Sequence, residues 1–370
     1  MRASLGLIVN PIAGMGGRVA LKGSDDPALL AAARARGAEP VAPARAVLAL
    51  EALGAAAGEL ELVTYAGTMG EEETRACGLE AVVVGHVGET TTAADTRAAA
   101  AEMAERDVDL LLFAGGDGTA VDVLRAAGDR VPVLGVPSGV KMHSGVFAVN
   151  PRSAGELAAH FLRSRARETA EAEVMDVDEE ALRAGAVSAR LHGYLRVPAE
   201  PRRVQSAKAR SGAGERASQE AIAQYLVDGV LGERLCLIGP GTTTKAILNA
   251  LGLEKTLLGI DVVRGRALVA ADADEWRLLE LIGEDSLVVV TPVGGQGFVF
   301  GRGNQQLSPR VIERVGLANV VVVATEAKIA ALGGRPLLVD TGDARLDAAL
   351  SGYTRIVTGY QREIVYRVAS

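Results

Sequence analysis

Short apolar runs that stop at glycine or proline set the rhythm of the first half of this chain. Leu5–Val9, Leu60–Tyr65, Glu80–Val84, Leu110–Ala114 and Val131–Val136 carry no helical period. Each is too short for a helix and reads as a buried strand of a parallel sheet. Between them lie alanine-rich helical stretches at Asp26–Arg36 and Pro43–Ala57, a short acidic one at Glu71–Cys77 expected to face solvent, and one from Thr92 to about Arg106. Ser153–Arg165 is amphipathic and reads as a bridge into a second domain. Beyond it, strands are expected at Glu171–Asp178, Ala186–Val197, Arg234–Ile238, Leu257–Val263, Ser286–Thr291, Val320–Ala324 and Leu337–Val339, with helices at Ser218–Leu231 and Asp274–Ile282. Thr354–Val368 is strand-like to the end and is expected to dock back on an earlier sheet. The pattern predicts an α/β protein. Its 370 residues suit two domains, placed at 1–150 and 151–370.

The most informative junction is LLLFAGGDGT, residues 110–119. A strand ends at Gly115-Gly116, and the helix that follows has Thr119 near its start and Gly128 at its end. Glycines at a strand-to-helix turn let backbone N–H groups approach phosphate oxygens. Asp117 has no place in a simple phosphate cradle, because it repels anions. It suits orienting a hydroxyl or holding Mg²⁺. The plain alternative is a βα turn with a capping aspartate.

Five other stretches carry the same flavour. Asn10, Gly14 and two further glycines follow the first strand without a dinucleotide fingerprint or a P-loop lysine. Thr91 and Thr92 open a helix, where hydroxyls cap or donate to phosphate, and capping is the commoner job. Lys141 and His143 stand in the loop after the fifth strand, Lys141 as a point charge for phosphate. GPGTTTK, residues 239–245, repeats the strand–glycine–helix design with Gly241, Thr242, Thr243 and Lys245. Late in the chain Arg302 lies among Gly294, Gly295, Gly297, Asn304, Gln305 and Gln306, a candidate binding loop whose arginine can pair with phosphate. The stretch 202–216 is basic and rich in Gly and Ser, and is expected as an exposed loop or lid. Asp340–Asp343 reads as a turn.

Composition narrows the class. Apolar residues make up 49% and charged residues 23%, but aromatics only 3%, so the core is aliphatic. A net charge of −7 argues against a nucleic-acid binder. Two cysteines, Cys77 and Cys236, make no disulfide framework or metal spacing and suit a reducing cytoplasm. Leu5–Val9 is too short for a signal peptide, and no apolar run is long enough to cross a bilayer. The expectation is a cytoplasmic protein without membrane or nucleic-acid partners.

GGDGT resembles the signature shared by ATP-NAD kinases, diacylglycerol kinases and sphingosine-type lipid kinases. VNPIAGMGG (9–17), TTTAADTR (90–97), GVPSGVKMHSGVFAVNP (135–151) and GGQGFVFGRGNQQLSP (294–309) resemble the ATP-NAD kinase/AcoX branch in particular. The resemblance implies a Rossmann-like N-terminal domain, a mixed, β-containing C-terminal domain and an active site in the crevice between them. It implies ATP, or polyphosphate in some members, as donor with Mg²⁺, the ribose 2′-OH of NAD as acceptor, and a homo-oligomer. By resemblance Asp117 acts on the accepting hydroxyl, and Gly241, Thr242 and Thr243 help form the nucleotide site. Asn10, Gly14, Thr91, Thr92, Gly115, Gly116, Gly118, Thr119, Lys141, His143 and Arg302 complete the expected phosphate and nucleotide contacts. The chain departs from well-studied NAD kinases in lacking an Asn-Glu or Asn-Asp pair early in its second half. It also carries Ala246-Ile247 where a tyrosine is expected. Another hydroxyl acceptor in the same superfamily, or a nucleotide sensor without catalysis, therefore stays open. The lipid version is weakened because PSGVKMH replaces a GTxND-like run.

Overall fold

The computed structural model describes residues 2–15, 34–35, 37–88, 90–139, 142–177, 189–199, 213–256, 258–292 and 297–370. The expected helix Asp26–Arg36 lies almost wholly outside them, as do Lys141, Gly294, Gly295 and residues 202–212 of the expected loop. Those residues fall into two compact units, one ending at 199 and the other starting at 213.

The first unit holds a parallel sheet of β1 (Ser4–Val9), β2 (Glu61–Tyr65), β3 (Val82–Val84), β4 (Leu110–Gly115) and β5 (Val133–Pro137) in the order β3-β2-β1-β4-β5. The order places β1 and β4 at the centre, which explains their uninterrupted apolar sequences: both faces are covered. On one face Leu5, Leu7, Leu110 and Leu112 pack with the helices Ala42–Ala52 and Pro151–Arg163. On the other, Ile8, Leu111 and Phe113 pack with the helices Ala93–Glu105 and Asp117–Ala127.

Pro151–Arg163 therefore covers the first sheet instead of leaving it. Gly155 explains the fit: a Cβ there would lie 2.0 Å from the Ala49 carbonyl oxygen of the neighbouring helix. The antiparallel pair β6 (Thr169–Val177) and β7 (Ala189–Pro198) also belongs to this unit, with Val174, Leu195 and Val197 in its core. The expected helix Pro43–Ala57 stops at Ala52 and continues as a 3-10 turn, Gly54–Glu59, because Gly54 takes φ +56°. The acidic helix Glu71–Ala76 is not purely a solvent face, since Glu73 and Thr74 are buried.

The second unit is a mixed sheet of β8 (Leu235–Ile238), β9 (Asp261–Arg264), β10 (Ala267–Ala270), β11 (Ser286–Val290), β12 (Phe298–Phe300), β13 (Val320–Val323), β14 (Leu337–Val339), β15 (Gly352–Gly359) and β16 (Arg362–Ala369). Its order is β10-β9-β8-β11-β13-β15-β16-β14-β12. β8, β11, β13 and β15 run parallel. The single terminal strand expected at Thr354–Val368 is an antiparallel hairpin, and it pairs with β13 and β14 of this same sheet. Its turn is made by Tyr360-Gln361, with Gln361 at φ +51°, a pair without turn signature. Residues 213–216 of the expected basic loop open the helix Ala213–Tyr225. The Lys255–Asp261 pair is wholly inside, Nζ to Oδ2 3.0 Å, with each partner hydrogen-bonded further to Thr256.

Candidate active site

The chain leaves β1 and β4 toward opposite faces of the first sheet. Adjacent strands whose connections diverge open a crevice outside their carboxyl ends, where doubly wound sheets take ligands. Asn10 follows β1 there, and Gly116-Asp117-Gly118-Thr119 follows β4. The turn is tighter than the sequence implied. Gly115 is still strand, Gly116 is the N-cap, and the helix begins at Asp117, so Thr119 is already in its first turn.

The three loops after β1, β4 and β5 are tied together by backbone and side chain. Asn10 donates its N–H to the Ala114 carbonyl (2.9 Å) and its side-chain amide to Thr119 Oγ1 (3.0 Å). Ser138 N–H donates to the Gly115 carbonyl at 2.9 Å. Glycine is required where these loops cross. A Cβ on Gly14, at φ +80°, would lie 2.1 Å from the Ser138 carbonyl oxygen, and one on Gly116 would lie 3.2 Å from Gly139 Cα.

Asp117 is the charged centre of this arrangement and is only 7% exposed. Its Oδ2 accepts the His143 N–H at 2.6 Å and its Oδ1 accepts the Ser144 N–H at 3.0 Å. Burial pushes its carboxyl up to about 6, opposed by the hydrogen bonds from Ser144 and His143 and aided by the Asp176 carboxylate. Ser144 also holds β6 in place: its hydroxyl donates to the Met175 carbonyl (3.0 Å) and accepts the Met175 N–H (2.9 Å). A carboxylate in that state still has lone pairs for an incoming hydroxyl and is ionised at neutral pH. It can align a hydroxyl proton and accept it.

The expected residues divide clearly. Asn10, Gly14, Gly115, Gly116, Asp117, Gly118, Thr119 and His143 gather at the ends of β1, β4 and β5. His143 contributes its backbone N–H to Asp117. Thr92 is spent on its own helix: its N–H (2.8 Å) and hydroxyl (2.7 Å) both reach Asp95 Oδ2 in a capping box. Thr91 stands beside it, half-exposed, after the edge strand β3.

Gly241, Thr242 and Thr243 start the helix Thr242–Ala250 after β8, in the second unit. Arg302, in that unit too, is 3% exposed with its guanidinium 4.4 Å from the Phe298 ring centroid. The amide-rich loop around it is braced from within, Asn304 bonding the Gly301 N–H and the Val299 carbonyl. Asp340–Asp343 is a turn whose Asp343 caps the helix Ala344–Leu350. Ser144, Ser138 and Met175 were not legible in sequence. Their roles depend on backbone groups and on contacts 31 residues apart along the chain for Ser144 and Met175.

Magnesium on a nucleotide's phosphates is held by one or two carboxylates at most and keeps much of its water. Asp117 provides a carboxylate that such a mode would use. No described helix is long and apolar enough to cross a membrane.

The model of the ATP-NAD kinase N-terminal domain matches residues 5–166, and that of the ATP-NAD kinase C-terminal domain matches residues 231–368. No curated protein and no solved structure matches the chain. The two matched segments take in both sheets and the GGDGT turn, and together they cover well over half of the sequence: the chain belongs to the ATP-NAD kinase family.

Proposed function

We propose that the protein is an NAD kinase, moving the γ-phosphoryl group of ATP to the 2′-OH of the adenosine ribose of NAD to give NADP. The observation that carries this reading is Asp117, a buried carboxylate fixed by two backbone N–H groups at the β1/β4 crevice of a chain in the ATP-NAD kinase family. Phosphoryl transfer asks little covalent chemistry of a protein. It asks for positioning and for stabilisation of charge.

Asp117 aligns the accepting hydroxyl and takes its proton as the bond to phosphorus forms. The backbone of Gly115, Gly116 and Gly118 and the hydroxyl of Thr119 would donate to phosphate oxygens, with Lys141 as a cation. Magnesium on the donor's phosphates would offset their charge, and Asp117 is the carboxylate that would approach it. The second reading keeps the chemistry and changes the acceptor. It is favoured by Ala246-Ile247 and by the lack of an Asn-Glu or Asn-Asp pair in the second half.

Labelled ATP offered with NAD, NADH and a panel of small alcohols decides between them. Label in the 2′-phosphate of NADP supports the first reading. Label in another alcohol with none in NADP replaces it by the second.

A further inference from the structure

The two edges of the first sheet are finished differently. β5, at one end, is covered by the chain that follows it: Gly135 donates its N–H to the Val146 carbonyl and accepts the Ala148 N–H, both at 2.9 Å. Among the described residues nothing pairs with the outer side of β3, at the other end. One bond fixes how its backbone points. The Ala66 N–H donates to the Val84 carbonyl at 3.0 Å, so Val84 serves β2. Backbone groups alternate from side to side along a strand. Those of Val82 therefore also face β2, and the N–H and C=O of Val83 point outward. β3 has none of the usual guards of an edge, such as a lysine or a proline. It is three valines, and Val82 and Val83 are 46% and 45% exposed. An apolar edge with unpaired backbone groups is a template for another strand.

A hollow of about 650 Å³ lies at the amino ends of β2 and β3, away from Asp117 at the carboxyl end of β4. Leu53, Leu60 and Leu79 line it, and its charged groups are Arg2, Glu61 and Glu80. Two carboxylates against one guanidinium leave it acidic. At the far end of β3, Gly85 turns the chain at φ +71°, and His86 follows, exposed.

These features complement one another across a twofold axis. Antiparallel pairing about Val83 sets that residue opposite itself, where the outward N–H and C=O of the two copies bond each other. It sets Val82 of one copy opposite Val84 of the other. It brings Gly85 and His86 of one copy to Ala81 and Glu80 of the other, so each imidazole arrives at an acidic hollow. An imidazole donates to a carboxylate when neutral and pairs with it when charged. The same patch serves both copies, as an isologous contact requires.

We propose that β3 is the pairing edge of a twofold dimer, in which a second copy of this chain brings its His86 to the hollow beside β3. Nothing in this rests on the kinase reading.

Sedimentation equilibrium of the full chain tests it, with thermal melts to show that each variant is folded. The wild type should be a dimer at micromolar concentration. Val83→Lys sets two ammonium groups opposite each other at the axis and should weaken association at least about tenfold. A lysine stem suits a half-exposed position, so the fold should hold. His86→Glu puts a carboxylate against Glu61 and Glu80 and should weaken association about 3–10-fold. His86→Glu combined with Glu80→Lys should restore much of that loss, which a merely structural role of either residue would not do. Leu268→Lys, on the exposed edge strand β10 of the other sheet, should leave association unchanged. A monomeric wild type overturns the proposal. So does a folded Val83→Lys protein that dimerises as the wild type does, a dimer broken by Leu268→Lys, or a double variant no tighter than His86→Glu alone.

Discussion

At the scale of single residues the chain spends stability to keep carboxylates where they are. Asp117 in the folded protein holds its proton to about pH 6, against 3.8 for a free carboxyl. The folded state therefore binds more protons between those values, and stability falls as pH rises from about 4 to 6. On the proposed reading activity runs the other way, because it is the ionised form that would accept the proton. We expect kcat/KM to climb with pH, turn over near 6 and stay flat above it; a profile flat down to pH 4.5 would remove Asp117 as base.

Asp117 is also part of the fold, since truncation strands the buried N–H groups of His143 and Ser144 at about 1–3 kcal/mol each. Asp117→Asn is the better variant, because it keeps the volume and one acceptor oxygen. Glu73 provides a case away from the crevice. It is 5% exposed, one carboxylate oxygen lacks a partner, and burial lifts its pKa to about 7. Its raised value again means stability lost as pH rises, here between about 4.5 and 7. Glu73→Gln should raise stability at pH 8 by about 1–2 kcal/mol and change little at pH 4, as read by thermal melts at the two pH values.

At the scale of elements, local chemistry decides which features a sequence reveals. The strand–glycine–helix turn at residues 110–119 was legible because an apolar run, three glycines and an alanine-rich helix all point one way. Capping was expected of at least one of Thr90, Thr91 and Thr92 without naming which; the capping box with Asp95 gives that role to Thr92. Helix ends among alanines were not, since Ala52, Ala55 and Ala57 give no stop signal and Gly54 alone breaks the helix. The hairpin turn at Tyr360-Gln361 passed as strand for the same reason. β10 and β12 are only four and three residues long, and β12 lies inside a glycine-rich stretch. Loop crossings set further conditions. Gly14→Ala forces a Cβ to within 2.1 Å of the Ser138 carbonyl oxygen at a positive φ, so the loop after β1 must move. We expect it to lower Tm and to raise the KM for nucleotide at least several-fold. A variant matching the wild type in both would show that the two loops do not need to touch.

At the scale of the whole molecule, each of the two sheets carries a buried apolar cluster on both faces. Sequence pattern foretold the α/β class and a second domain of alternating strands and helices, because apolar runs separated by helical stretches recur from Arg234 to Leu332; the antiparallel pairings in its sheet were not foretold. It read Ser153–Arg165 as a bridge into a second domain, whereas the helix Pro151–Arg163 packs on the first sheet. Nothing in the helix's own pattern tells which sheet its apolar stripe covers; the fit of Gly155 against Ala49 decides that. The same limit hid Ser144 and Met175, whose bonds exist only once β6 lies beside the loop after β5.

The central claim is that this crevice makes NADP, and it is tested most directly by NADP formation from NAD and Mg-ATP. Wild type and Asp117→Asn should be assayed together, with thermal melts as a check that both are folded. Steady turnover is expected in the wild type, with a loss of about 10²–10⁴-fold in kcat for the variant. A folded wild type that binds ATP but forms no NADP, or an Asp117→Asn protein of undiminished kcat, would contradict it.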